Sequence, residues 1–176
     1  RRGAPEPGQA GPRRAIMLAA HTDEIGLMVS GYEGAYLRFE RVGGVDRRTI
    51  VGQEVLVHGR QPLPGIIASH PPHVQLPADR DKPYAWDDLF IDVGLSAERL
   101  AERVHVGDLV TMRREYLELA EGYASGKALD DRAGVATLAV CLEMLAGLRH
   151  TWDVYAVATS QEELGLRGAT VSAYSV

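Results

Sequence analysis

The 176-residue sequence holds one cysteine, two tryptophans and two phenylalanines, and aromatic residues make up only 6% of it. The lone Cys141 excludes an internal disulfide framework and fits a reducing compartment. Neither sign of charge dominates: 19 Lys and Arg stand against 24 Asp and Glu, for a net charge of −5. Acids and bases are mixed along the chain, so there is no basic stripe for nucleic acid and no like-charge tail. Long hydrophobic runs are missing too. The run "AIMLAA" is stopped by His21 and Asp23, too short for the core of an export signal and far too short for a membrane span. A cytoplasmic protein is expected, although a secreted one without disulfides is equally permitted by a single cysteine, and the expected partners are small molecules, peptides or copies of itself, with no nucleic acid and no membrane. The chain opens on Arg1 and stops at Val176 within the apolar "ATVSAYSV", which reads as a piece of a longer protein.

What is present is a globular balance of 45% hydrophobic and 24% charged residues. Residues 3–12 are rich in Pro and Gly and read as a surface turn before "AIMLAA". That run and "EIGLMV" read as the opening of an α/β domain over residues 1–33, with "AIMLAA" as a central strand. From residue 34 to 118 the texture changes to short β-type runs, "AYLRFERV", "TIVGQEVLVHG", "LPGIIAS", "LFIDVGL" and "HVGDLVTMRR", punctuated by Gly, Pro and Asp. This predicts a small all-β barrel or sandwich inserted into the α/β domain. Over 119–176 the α/β pattern returns. "DRAGVATLAVCLEMLAGL" has the spacing of a buried helix, which would make Cys141 a small core residue, and His150 suits the dipole at its end. "WDVYAVATS" reads as a parallel strand covered on both faces, and "LRGATVSAY" as the start of another helix.

Three stretches could carry chemistry. In "AHTDEIG", His21 and Asp23 lie two apart on an extended segment, so Asp23 can hold one ring nitrogen of His21 and leave the other for a metal. A polar strand end with Glu24 simply solvated is the ordinary alternative. In "ALDDRAGV", Asp130 and Asp131 open a helix; one can cap it while the other points into a site, with Arg132 pairing with one of them. In "ATSQEELG", Glu162 and Glu163 follow a strand, and either a metal ligand with its neighbouring base or an exposed acidic loop accounts for the pair. Ligands in open α/β sheets gather beyond the carboxyl ends of strands, so the three stretches can meet there. A His, Asp and Glu set without thiolate suits Zn²⁺, Co²⁺ or Mn²⁺. "GYASGKAL" is only a loose match to a phosphate loop, since Ala128 replaces the required Ser or Thr. His70 and His73 in "SHPPH" read as surface or interface residues.

Taken together, "AHTDEIGLMV", "KALDDRAGV" and "QEELGLRGA" resemble, in order and separation, the M42 family of metallo-aminopeptidases, whose members are often labelled endoglucanase. "YLRFERVGGVD", "GIIASHPPH" and "LFIDVGLSAE" match the family's β insert in character, and the resemblance covers about residues 14–176. It implies a phosphorylase/hydrolase-like α/β sheet domain of the co-catalytic metallopeptidases, interrupted by a β-barrel-like insert used for oligomerisation and gating, from dimer to dodecamer. It further implies two divalent metal ions, zinc or cobalt, with His21 on one, Glu163 on the other and Asp130 bridging them. Glu162 would be the general base and Asp23 would orient His21. Thr22, where Met is more usual, would face away from the metals. The implied reaction is removal of the N-terminal residue of a short peptide. Family members carry a further Asp and His downstream of "QEE", so this stretch alone would bind metal weakly and turn over poorly. A glycoside hydrolase with paired carboxylates and a non-catalytic assembly subunit are the alternatives; a two-carboxylate mechanism has no need of His21.

Overall fold

The computed structural model describes residues 14–71, 73, 82 and 84–176. The turn expected at 3–12 lies outside them. The chain divides into two compact units, one formed by the chain up to Glu24 with Glu118–Val176, the other by Ile25–Leu117. In chain order, β1 (Ala15–His21) belongs to the first unit. The second unit holds β2 (Gly26–Glu33), β3 (Tyr36–Val42), α1 (Arg47–Ile50), β4 (Glu54–His58), β5 (Pro62–Ser69), β6 (Leu89–Asp92), α2 (Ala97–Arg103) and β7 (Leu109–Met112). The chain returns through short strands β8 (Leu117–Glu118) and β9 (Ala124–Ser125) to α3 (Leu129–Ala146), β10 (Asp153–Thr159) and α4 (Arg167–Ala173).

The second unit is a closed antiparallel barrel in the order β2-β3-β6-β5-β4-β7. Strict alternation builds it. Val55 and Val57 of β4 point inward between Glu54, Leu56 and His58, and Leu37 with Phe39 of β3 and Leu89 with Ile91 of β6 do the same. These side chains, with Leu27, Val29, Ile67 and Val110, fill the interior, and closure leaves no strand edge unpaired. The sequence reading of an all-β unit misses two helices. Ile50 of α1 and Leu100 of α2 belong to the same core, although the sequence pattern places Thr49 and Ile50 in a β run. The expected first boundary, after residue 33, also differs from the division at Glu24/Ile25. The reason is that β2 pairs with β3 and β7 and so is a barrel strand.

In the first unit β1 and β10 run parallel, in register from Ala15↔Asp153 to His21↔Thr159. Three expectations need correction here. β1 is not a central strand among the described residues, since its one paired neighbour is β10 and only Ala20 and His21 are buried. α3 carries no buried residue: Val140 is 54% and Met144 67% exposed, and Cys141 is half-buried rather than in a core. β10 is not covered on both faces, because Tyr155 is exposed. A sheet of two seven-residue strands can shield only part of one side of an 18-residue helix. The apolar composition was therefore legible, but its burial was not. His150 lies beyond the end of α3, and its ring meets the carbonyl of Trp152 at 2.7 Å. His70 and His73 are exposed, in keeping with their expected surface position. No helix among the described residues is long and apolar enough to cross a membrane.

This contrast sets an expected outcome. In a Trp152→Phe background, where Trp86 fluorescence follows the barrel, Leu37→Ala should lower the unfolding free energy by about 2–5 kcal/mol. Met144→Ala on α3 should change it by less than about 0.5 kcal/mol. Urea titrations of the two variants check both values.

Candidate metal centre

The parallel pairing of β1 with β10 places the two strand ends side by side, and hydroxyls fasten them. The amide and hydroxyl of Thr22 both donate to the Thr159 carbonyl, at 2.9 and 3.0 Å, and the buried Thr159 hydroxyl donates to the Ala20 carbonyl at 3.2 Å. Thr22 thus spends its side chain on strand-to-strand contact. His21, 7% exposed, is held between these fastened ends.

The ring of His21 is oriented by Asp23, but through a different atom from the one expected. Nδ1 lies 3.0 Å from the Asp23 main-chain carbonyl and 3.6 Å from its carboxylate. A carbonyl only accepts, so Nδ1 carries the hydrogen and the lone pair is left on Nε2. The Asp23 carboxylate instead accepts the backbone amides of Glu162 and Glu163, at 3.2 and 3.3 Å. One residue therefore fixes both the histidine and the turn that bears the glutamates.

That turn is tightly wound. Gln161, Gly165 and Leu166 all have positive φ, and the Glu162 carbonyl accepts amides from Gly165 and Leu166 at 2.8 and 3.1 Å. α4 then folds back so closely that a Cβ on Gly168 would lie 2.4 Å from the Ser160 carbonyl oxygen. Only glycine fits this approach without moving backbone.

Asp130 and Asp131 separate their tasks. Both have non-helical φ/ψ, and the peptide between them is cis. The Asp131 carboxylate accepts the Gly134 amide at 3.0 Å, the bond an N-cap makes to the third helical residue. Gly134 makes room for it, because a Cβ there would meet that carboxylate at 2.4 Å. The Asp130 side chain is 90% exposed, and its Oδ1 lies 3.1 Å from His21 Nε2. Arg132 pairs with neither aspartate among the contacts described. It donates to the Thr22 carbonyl at 3.0 Å and approaches Glu24 at 3.9 Å.

Around Nε2, therefore, stand Asp130 Oδ1 at 3.1 Å and Glu162 Oε2 at 3.6 Å. Ligand atoms of His21, Glu162 and Glu163 all lie within 4.8 Å of one another, while Asp130 joins through His21. A lone pair facing carboxylate oxygens is repulsive unless a cation sits between them. Burial alone would depress the His21 pKa, but the Asp23 carbonyl, the Asp130 carboxylate and the charges of Glu162 and Asp23 outweigh it, so the net shift is upward. Glu163 is also shifted up, first by burial and then by the Glu162 charge, with His21 opposing. Crowded carboxylates around one imidazole are the donor set a divalent cation relieves, and these residues fit one. The alternatives kept for single stretches, a solvated strand end or a loose acidic loop, do not describe this convergence. Sequence spacing did not reveal that the Asp23 carboxylate binds amides 139 and 140 residues away, since no local pattern encodes so distant a partner.

A family model described as M42 glutamyl aminopeptidase matches residues 5–176. The lysyl aminopeptidase of Pyrococcus furiosus is 32% identical over 166 residues, which is 92% of this chain and 47% of that protein. The chain spans about half the length of the curated relatives it matches. Among solved structures, a TET aminopeptidase from a marine sediment Thaumarchaeota archaeon superposes with a TM-score of 0.88 at 39% identity, covering 96% of this chain and 49% of that one. The Pyrococcus horikoshii TET1 peptidase, which can assemble into a tetrahedron or a large octahedral shell, gives 0.80 at 36% identity, covering 93% of this chain and 50% of the other.

Two outcomes are expected of the site. With no metal bound, the His21 ring should titrate with a midpoint above 6.5 in a proton NMR titration. Its stabilising effect is full below the ordinary histidine pKa and is lost as pH rises through the raised value. A metal must displace that proton, so zinc affinity should weaken as pH falls through the same range; pH-independent affinity would contradict it. Separately, Gly168→Ala should lower stability by about 1–3 kcal/mol and weaken Co²⁺ binding as well, read by thermal unfolding and by Co²⁺ titration.

Proposed function

The chain belongs to the M42 glutamyl aminopeptidase family, and from that membership we propose that it forms the metal-binding part of a cytoplasmic aminopeptidase that hydrolyses the N-terminal peptide bond of short peptides. The observation that supports this most is the aim of His21 Nε2 at the carboxylates of Asp130 and Glu162, with Glu163 beside them. A plain two-carboxylate glycosidase has no use for an imidazole held in this way.

His21 and Glu163 would each hold one of two divalent cations, zinc or cobalt, and Asp130 would lie between them. When bound, the cations would polarise the scissile carbonyl and acidify a water. The chain's own residues do the rest. His21 offers Nε2 because the Asp23 carbonyl claims Nδ1–H. Asp23 holds the two glutamate amides, so the carboxylates of Glu162 and Glu163 start from a fixed backbone. Glu162, 36% exposed, remains accessible to water. It takes a proton from water as the oxygen attacks the carbonyl carbon. As the C–N bond breaks, it passes that proton to the departing amine. Glu163, less favourably ionised because of its burial, gains most from an adjacent cation.

The barrel is read as the insert through which copies of the protein assemble and control access to the site. Its closed, self-contained core and the assemblies named for structural relatives support that reading.

In the full chain, Glu162→Gln should lower kcat by about 10²–10⁴-fold on aminoacyl chromogenic substrates while metal content is kept. Loss of metal instead would exchange the roles of the two glutamates. Turnover that survives a chelator would overturn the proposal as a whole.

A further inference from the structure

Glu24 is the acid that the site's chemistry leaves over, yet its side chain is only 16% exposed. Its carboxylate lies 2.7 Å from Lys127 Nζ and 3.9 Å from Arg132 Nη2. These two cations flank Asp130, three residues before it and two after it. The Nε of Arg132 also donates to the Thr22 carbonyl at 3.0 Å. The segment after His21 and the segment around Asp130, more than a hundred residues apart in sequence, are thus joined at three places. In the second segment Asp130 lies between the two cations that make the other contacts. On either side of it a cation of the second segment is held by the first.

Two physical consequences follow. Asp130 is outside regular helix geometry and Ala128, two residues before it, is left-handed, although the Arg132 amide still donates to the Ala128 carbonyl at 3.2 Å. The flanking side-chain contacts add to that single backbone bond in tying the segment to the one after His21. In addition, Lys127 and Arg132 are near enough in sequence to pair with Asp130 or Asp131 and draw them away. Among the described residues, both cations form their ion pairs with Glu24, and the Asp130 carboxylate is left facing His21. With its cations 35% and 56% exposed, this cluster contributes little to stability by itself; what it fixes here is a distance.

We propose that Glu24 is a positioning residue of the metal centre, binding Lys127 and Arg132 so that the Asp130 carboxylate stays free and fixed beside His21 Nε2. This rests on the reading of His21 and Asp130 as metal ligands, and the two can fail separately.

The test uses the full chain and Co²⁺ alone as probe, following affinity and the visible spectrum, with folding checked by circular dichroism. Glu24→Gln and Lys127→Met should each weaken Co²⁺ binding about tenfold and alter the spectrum. The double variant should be no weaker than Glu24→Gln alone, because Glu24→Gln already removes the contact that Lys127→Met removes. Lys127→Met breaks the pair from its more exposed side and carries the test if Glu24→Gln does not fold. Folded variants that bind Co²⁺ as the parent does, with an unchanged spectrum, overturn the proposal, as do losses that multiply in the double variant. His21→Ala is the control: if it binds Co²⁺ as well as the parent, the metal reading itself falls, and the positioning role with it.

Discussion

An imidazole lone pair aimed at carboxylate oxygens is repelled by them and requires a positive charge in between. At His21 that arrangement is enforced from behind, by the Asp23 carbonyl that holds Nδ1–H, and from in front, by Asp130 and Glu162. Much of the rest of this unit serves it. The Thr22 and Thr159 contacts hold the strand ends level, the Asp23 carboxylate ties down the glutamate turn, and the missing Cβ of Gly168 lets α4 close behind that turn. His21 is shifted up against its burial by the Asp23 carbonyl and the carboxylates around it, and Glu163 is shifted up first by its own burial.

The two units meet their structural needs differently. The barrel closes on itself, so its alternating residues bury a continuous core and each strand has a paired neighbour on both sides. The other unit has a two-stranded parallel sheet and a long helix whose Val140 and Met144 lie open. Parallel sheets are stable when both faces are covered, and here little covers them. Among the described residues, the candidate metal centre is tied together by specific polar contacts between chain segments far apart in sequence.

Much of this was legible beforehand because it is written in local periodicity. "EVLVH" alternates and becomes β4, "DVYAVAT" is β10, and the run after "DDR" is the helix α3. The three acidic or histidine-bearing stretches were also visible as candidates, because each interrupts an apolar run with side chains that bind protons or metals. Boundaries were harder. "GLMVSGYE" has no local mark that assigns it to the barrel; only its pairing with β3 and β7 does so. Burial was misjudged for α3 because an apolar helix sequence states a need for a neighbour without supplying one.

By itself the sequence determined which residues can bear charge and metal, the strand and helix periods, and the composition that makes a barrel core possible. Tertiary structure decided which atoms meet. It turned the Asp23 carboxylate from the ring of His21 to two amides and gave the ring the Asp23 carbonyl instead. It made Asp131 a cap and left Asp130 free, and it engaged Glu24 with Lys127 and Arg132. The physical reason is the same in each case. Side-chain chemistry is a property of one residue, whereas a hydrogen bond or ion pair depends on separations of a few ångströms that only the folded chain sets between residues a hundred or more positions apart.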